Sequence, residues 1–222
     1  SLFTPDTNRG VYRSDDSGES WDQILFLTDS TSAVDLVQHP ENPEILYASM
    51  WERMRGLDYR RSGGESSGVY KTEDGGDTWF ELTNGLPTHE FVGRIGLTIS
   101  HSNPDVLYAF YDKQMEPGDS YSYLGIFKTT NGGTLWQQTN DSNLYDMNAS
   151  FGWYFGQIHV DPSDENMVFA LGVDLVRSTN GGASWQQIAG YWNTDEIHVD
   201  HHAIVIDPNT GSVVVGNDGG LY

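Results

Sequence analysis

Short runs in which apolar and polar residues alternate recur along the chain, and turns rich in Pro, Asn, Asp and Gly separate them. Four segments share one order, with an apolar run, a polar turn and a second apolar run: 36–47, 97–108, 158–169 and 204–215. Apolar and polar alternation interrupted by such turn residues is typical of β-strands joined by tight turns. The pattern therefore predicts an all-β protein built from repeated hairpins.

A second repeated unit follows these hairpins, the octet Ser/Thr-x-Asp/Asn-x-Gly-x-x-Trp, which begins at Ser14, Thr72, Thr129 and Ser178. The Asp or Asn side chain of such a sequence can bond to backbone downstream, Gly supplies a positive φ angle, and Trp anchors the returning strand. The octets thus predict hairpin turns rather than catalysis. Their structural residues are Asp16, Gly18, Trp21, Asp74, Gly76, Trp79, Asn131, Gly133, Trp136, Asn180, Gly182 and Trp185.

One hairpin of each kind makes a unit of four strands, and the octets recur roughly every 50 to 60 residues, close to the period of β-propeller blades. The predicted order is a half blade, three full blades and a second half blade. Their ranges are 9–25, 32–83, 91–139, 154–189 and 202–222. Because an open propeller of this size would expose long sheet edges, we expect the chain to be part of a larger propeller.

Charge and composition limit the classes of partner expected for this chain. The chain has 32 acidic and 11 basic residues, a formal net charge of −21, so nucleic acid and anionic membrane surfaces are disfavoured as partners. No apolar run approaches the roughly 20 residues that span a bilayer. There is no Cys, which excludes disulfides and thiol chemistry. The composition favours an extracytoplasmic protein that is secreted, periplasmic or attached to the cell surface.

The connections of a blade alternate between the two faces of the propeller. The octets and the Pro/Asn turns fall on one face and have nearly constant length. The connections on the other face vary in length and composition, at 51–67, 83–92, 111–123, 139–154 and 189–202. Binding residues concentrate on variable loops carried by a rigid scaffold, so this loop-rich face is the predicted binding surface.

Two of these loops have distinctive chemistry. Segment 51–61 holds four of the basic residues and includes Trp51 and Arg53, and Arg94 begins a later inner strand. This local positive charge suits a carboxylate or sulfate ligand, although an internally paired loop is an equal alternative. Segment 145–156 is rich in aromatic residues, including Trp153 and Tyr154. They suit the apolar faces of a sugar, or else packing between blades.

The sharpest cluster of titratable residues consists of His198, Asp200, His201, His202 and Asp218. Imidazole and carboxylate groups that converge suit a divalent metal, with His198, Asp200 and His202 as the candidate ligands, or an acid/base pair. The spacing matches no diagnostic metal motif, and histidines that cap neighbouring loops are an alternative explanation.

The octet resembles the Asp-box, or bacterial neuraminidase repeat (BNR), found in sialidases, tandem-propeller xyloglucan hydrolases, sortilin-type receptor domains and a photosystem assembly factor. Segments 92–97, 153–158 and 198–220 also resemble exported bacterial repeat proteins described as sortilin-like or glycosyl-hydrolase-like. This resemblance covers essentially the whole chain. It implies an exported propeller and leaves the activity unassigned, because the repeat occurs on both enzymes and binding proteins.

A sialidase is disfavoured, because enzymes of that type clamp a carboxylate with three arginines from different blades. Arg94 occupies one plausible position, but the corresponding positions hold Ala33, Phe155 and His201. A xyloglucanase-like hydrolase needs two carboxylic acids across a cleft. The candidates on the loop-rich face are Asp146, Asp195, Glu196, Asp200 and Asp218, and their spacing singles out no pair.

The sequence therefore favours an exported binding or scaffold module that recognises a glycan or a peptide on its loop-rich face. A glycoside hydrolase is the first alternative, and a surface protein whose blades contact copies of itself is the second. Further blades or domains of the same protein are expected partners.

Overall fold

The computed structural model describes residues 4–190 and 197–222, and the fold is all-β apart from one 3₁₀ turn at Ser142–Leu144. Its strands are β1 Val11–Arg13, β2 Asp22–Leu25, β3 Thr31–Gln38, β4 Leu46–Glu52, β5 Met54–Arg55, β6 Arg60–Arg61, β7 Gly68–Thr72, β8 Phe80–Leu82, β9 Val92–Ile99, β10 Leu107–Lys113, β11 Tyr123–Thr129, β12 Trp136–Gln138, β13 Gln157–Asp161, β14 Asp164–Leu171, β15 Leu175–Ser178, β16 Gln186–Ala189, β17 His201–Ile206, β18 Val213–Asn217 and β19 Gly220–Leu221. No helix among the described residues is long and apolar enough to span a membrane.

The strands form blades in chain order. Three four-stranded antiparallel sheets have the orders β3-β4-β7-β8, β9-β10-β11-β12 and β13-β14-β15-β16. A two-stranded sheet, β1-β2, precedes them and a three-stranded sheet, β17-β18-β19, follows. The first strand of each sheet is innermost, with β9 between β3 and β13, and β13 against β17. The prediction of a propeller made of four-stranded antiparallel blades is confirmed.

The core lies between neighbouring blades. One cluster joins the first two complete blades through Tyr47, Ile95 and Trp136, a second joins the next pair through Phe110 and Ile158, and a third packs Phe169 against Ile204. Removing such large apolar side chains from water is the main favourable contribution to folding. The alternation seen in the sequence thus buries one blade against the next.

Each octet closes its hairpin through two shared hydrogen bonds, one to the Ser/Thr hydroxyl and one to the Asp/Asn side chain, and the first two octets add a bond from the Trp ring. In the second octet, Thr78 N donates to Asp74 Oδ1 at 2.9 Å, Gly76 N donates to Thr72 Oγ1 at 2.9 Å and Trp79 Nε1 donates to Gly76 O at 3.1 Å. Gly76 has φ of 103°, which favours glycine. Hydrogen bonds from the Thr78 side chain and backbone lower the pKa of Asp74 to about 2. The carboxylate therefore serves the turn.

The octets and the Pro/Asn turns lie on one face. Gly75 N donates to Glu44 O at 2.9 Å, and the next two blades repeat this link through Gly132 N to Asp105 O and Gly181 N to Asn166 O. The Trp positions differ in burial, since Trp136 is 1% exposed while Trp21, in the two-stranded first sheet, is 60% exposed. The Trp side chain is thus the predicted buried apolar anchor at Trp136, whereas Trp21 in the two-stranded first sheet is exposed.

Candidate functional site

The variable loops contact one another on the face opposite the octets. Gly64 N in the β6–β7 connection donates to Val92 O at 3.0 Å, and Arg53 Nη1 in the β4–β5 connection donates to Trp153 O at 3.5 Å. On the other side, Asp200 N donates to Val173 O at 3.1 Å. These bonds assemble loops from separate blades into one surface.

An arginine lies between two indole rings at the centre of this surface. The guanidinium carbon of Arg53 is 4.5 Å from the ring centroid of Trp51 and 5.0 Å from that of Trp153. Arg60, at the end of the β5–β6 hairpin, lies 4.4 Å from the same Trp153 ring. Trp51 itself is buried and donates from Nε1 to Ser62 O at 2.7 Å, so it supports Arg53 rather than facing solvent.

Arg94 joins this group from the inner strand β9. Its Nη1 donates to Tyr154 O at 3.1 Å, which ties β9 to the aromatic segment before β13. Burial lowers the pKa of Arg94, while the charges of Asp35 and Asp112 raise it. Arg94 therefore positions the backbone beside the aromatic rings and adds positive charge there.

An aromatic cleft of about 310 Å³ lies beside the arginines. Its lining consists of Phe151, Trp153, Tyr154, Phe155, Asp200 and Asp218. Consecutive turns hold the aromatic segment, with Tyr154 N and Phe155 N both donating to Phe151 O at 2.8 and 3.1 Å. Phe155 is buried, whereas Tyr154 is 54% exposed. The cleft thus combines a packed aromatic base with open aromatic surface and carboxylates.

The acidic side of the cleft comes from the last sheet. Asp218 Oδ1 lies 2.6 Å from His202 Nε2, and the His202 ring packs against Tyr154 and Phe155 with centroids 5.5 and 5.4 Å away. Asp200 has a left-handed backbone with φ of 67°, and its carbonyl accepts from Asp218 N at 3.2 Å. Burial and then the charge of Asp218 raise the pKa of Asp200.

The other two histidines do not join the cleft. His201 is fully buried, and burial lowers its pKa to about 4, so its ring is neutral at physiological pH. His198 points Nδ1 to within 2.8 Å of the Val199 carbonyl. Residues 4–190 and 197–222 contain no group of three or more His, Asp or Glu side chains placed to hold a metal. The metal site at His198, Asp200 and His202 stays a prediction without structural support.

The other candidate carboxylates are placed differently. Asp146 lines a separate depression of about 440 Å³ together with Tyr121 and Asp174, and it does not line the aromatic cleft. Asp195 and Glu196 lie outside the described residues. Of the acids proposed from sequence, Asp200 and Asp218 are therefore the two that the described structure brings to one cleft.

A buried polar group beneath the loops was not anticipated from the sequence. Asp112, at the end of β10, and Asn148 are both fully buried, and Gly152 lies against the Asp112 carboxyl. Burial raises the pKa of Asp112 well above its ordinary value. The only sequence signal is an acid ending an otherwise apolar strand, which also describes many surface positions.

We expect Asp112→Asn to change the pH dependence of stability. The unfolded carboxyl ionises near its ordinary pKa, while the folded one holds its proton to higher pH, so the wild-type protein loses stability as pH rises above about 4. The Asn variant lacks this loss. Its advantage should be negligible near pH 4 and grow steadily as the pH rises towards 8. Urea unfolding at both pH values measures it, and an equal difference at the two values would contradict the assignment.

Comparisons with known proteins agree on the fold. No protein-family model matches the chain, and no curated protein matches it. Among solved structures, the chain is similar to an ancestral GH74 enzyme (TM-score 0.64, 18% identity, 96% of this chain, 25% of that one) and to the GH74 enzyme of Niastella koreensis (0.62, 19%, 97%, 31%). It is also similar to the GH74 xyloglucanase of Xanthomonas campestris (0.65, 18%, 97%, 33%).

A further similar structure is YCF48 bound to D1 peptide, with a TM-score of 0.52, 14% identity, and coverage of 85% of this chain and 48% of that one. The chain thus spans between a quarter and a third of the GH74 chains and about half of YCF48. At these identities the likeness establishes the propeller fold alone.

Proposed function

We propose that this chain is the glycan-binding portion of an exported propeller protein of the Asp-box type, and that the sugar lies in the aromatic cleft. The observation that carries the proposal is the combination of Trp153, Tyr154 and Phe151 with two carboxylates in one cleft. Binding sites of this kind are concave and largely apolar, with a few polar groups that fix orientation.

The chemistry of the cleft matches that of a pyranose ring. The C–H faces of the ring are apolar and pack on exposed aromatic side chains such as Tyr154. Its hydroxyl groups need acceptors, which the carboxylates of Asp200 and Asp218 supply. His202 holds Asp218 at 2.6 Å and so restricts the direction in which that carboxylate accepts.

Removal of one exposed ring tests the proposal. We expect Tyr154→Ala to weaken binding of neutral oligosaccharides about tenfold, because a stacked aromatic side chain is lost. The control is Tyr145→Ala, since Tyr145 is exposed to the same extent, 55% against 54%, and does not line the cleft. Xyloglucan oligosaccharides and unbranched β-glucan oligosaccharides are suitable probes for calorimetric titration. Failure of every glycan to bind, or equal losses in the two variants, would contradict the proposal.

A glycoside hydrolase is the second candidate, and the paired carboxylates favour it. Hydrolases of this kind use one carboxylic acid as proton donor and a second carboxylate as base or nucleophile. The raised pKa of Asp200 suits the donor, and Asp218 suits the partner. The same oligosaccharide mixtures, analysed for new reducing ends, distinguish the two functions, because a binding module returns the sugar intact.

A further inference from the structure

A positive patch lies beside the aromatic cleft, and Trp153 belongs to both. We define the patch as Arg53, Arg60 and Arg94. The first two stack on the Trp153 ring at 5.0 and 4.4 Å, and the third binds the neighbouring Tyr154 carbonyl at 3.1 Å. Any ligand that stacks on Trp153 therefore lies next to the guanidinium groups.

The patch contains hydrogen-bond donors that lack acceptors. Arg53 Nε, Arg94 Nε and Trp153 Nε1 are all buried, and none has a hydrogen-bond partner within the described structure. Arg53 as a whole is 7% exposed. More than nine in ten buried polar groups in native proteins are satisfied, and the patch holds three of the exceptions among the described residues. These atoms are closed to solvent, so the exposed Arg60 is the arginine of the patch that a ligand meets first.

Arg53 lies among like charges. Burial lowers the pKa of Arg53 to about 10, and the charges that act in the same direction are those of Arg60, Arg55 and Arg94. Arg61 is different, because it pairs with the buried Glu52 at 2.8 Å. The internally paired loop considered from the sequence thus describes Arg61 and leaves Arg53 among like charges. Mutual repulsion of arginines at close range is unfavourable unless an anion joins them.

We propose that the glycan bound in the cleft is acidic, with the carboxylate of a uronic acid held by the patch of Arg53, Arg60 and Arg94. This inference rests on the proposed function and specifies the class of its ligand. The sugar ring packs on Tyr154 beside Trp153, its carboxylate faces the patch, and its hydroxyl groups face Asp200 and Asp218. The planar guanidinium fork matches a carboxylate with two parallel hydrogen bonds.

The arrangement favours a sugar acid over an acidic peptide. A uronic acid carries one carboxylate on a ring whose other substituents are hydroxyl groups, which suits a cleft that is cationic at one side and anionic at the other. A peptide rich in Asp or Glu would bring further negative charge towards Asp200 and Asp218, in a chain of net charge −21. The exposed ring of Tyr154 also matches a flat apolar sugar face.

The test compares a sugar acid with its own neutral ester. The methyl glycoside of glucuronic acid and its methyl ester have the same ring and differ only in the charge of one carboxyl group. We expect Arg60→Gln to weaken binding of the acid about tenfold and binding of the ester less than twofold. Arg60 is exposed, so this variant should fold. Arg13→Gln is the control, because it removes the same charge beside the first octet, where Arg13 bonds Asp77 at 3.0 Å.

Two further measurements separate a shaped site from general attraction. Arg60→Lys keeps the charge and loses the fork, so it should recover less than half of the lost binding free energy. Raising the salt concentration should weaken binding of the acid more than binding of the ester. Glucan sulfates and acidic peptides, titrated in parallel, report on the other anions.

Preference for the acid, loss of that preference in Arg60→Gln and retention in Arg13→Gln would support the inference. Equal binding of acid and ester, or preference for sulfates or peptides, would overturn it. If neutral sugars still bind and depend on Tyr154, the proposed function stands while the inference fails. If no sugar of either kind binds, both fail.

Discussion

Trp153→Ala should weaken glycan binding about 30-fold or more, the largest loss expected from a single side chain of the cleft. The indole both lines the cleft and packs against Arg53 and Arg60, with guanidinium carbons 5.0 and 4.4 Å from its centroid. Its removal takes away part of the aromatic lining and also frees two arginines from their fixed positions. Tryptophans that anchor a binding site typically contribute 2 kcal/mol or more, which corresponds to about 30-fold.

Trp153→Phe distinguishes the two contributions. Phenylalanine keeps an aromatic face for the sugar but has a smaller surface for the guanidinium groups. We expect it to retain most of the binding of neutral sugars and to lose more of the binding of acidic ones. Thermal unfolding of both variants, measured without ligand, establishes that each is folded before titration. Wild-type affinity in folded Trp153→Ala would place the binding site elsewhere on the molecule.

The octet turns could be predicted from sequence because each interaction in the turn is made by a particular residue type a few positions away in the chain. Asp74 accepts hydrogen bonds from Thr78, four residues later, and Gly76 supplies the positive φ angle between them. No distant contact is needed for these interactions. The order of the four strands in each complete blade follows in the same way, whereas the small β5-β6 hairpin inserted between β4 and β7 was not predicted.

From the sequence, only the face of the propeller that carries the site could be predicted. Loop length identified the side of the propeller on which Arg53, Trp153 and Asp218 occur, but distant contacts decide which side chains point outward. Trp51 and His201 were candidates for the same reason as Trp153 and His202, and both are buried. The stacking of Arg53 on Trp153 joins residues a hundred positions apart, and no local pattern encodes it.

A separate prediction concerns the contact between β9 and β13, which supports the cleft. Gly96→Ala should destabilise the protein by about 3 kcal/mol, because a Cβ at this position would lie 2.3 Å from the backbone oxygen of Gly156. The obstacle is backbone, which cannot rotate away as a side chain would. Gly156 directly follows the aromatic segment, so relief of the clash requires β13 and the cleft to move away from β9.

A matched control separates this clash from a general effect of alanine in a strand. In β18, a Cβ on Gly216 would meet its nearest neighbour at 3.6 Å, an ordinary contact. We expect Gly216→Ala to change stability by less than about 0.5 kcal/mol. Urea unfolding of both variants, followed by Trp fluorescence, gives the comparison, and any folded Gly96→Ala should also bind glycan more weakly. Equal stability of the two variants would mean that the inner strands of neighbouring blades are not in close backbone contact at this point. In that case β13 would not depend on this contact for the placement of Trp153, and the bonds from Arg94 to Tyr154 O and from Val160 N to Thr98 Oγ1 would link the two segments.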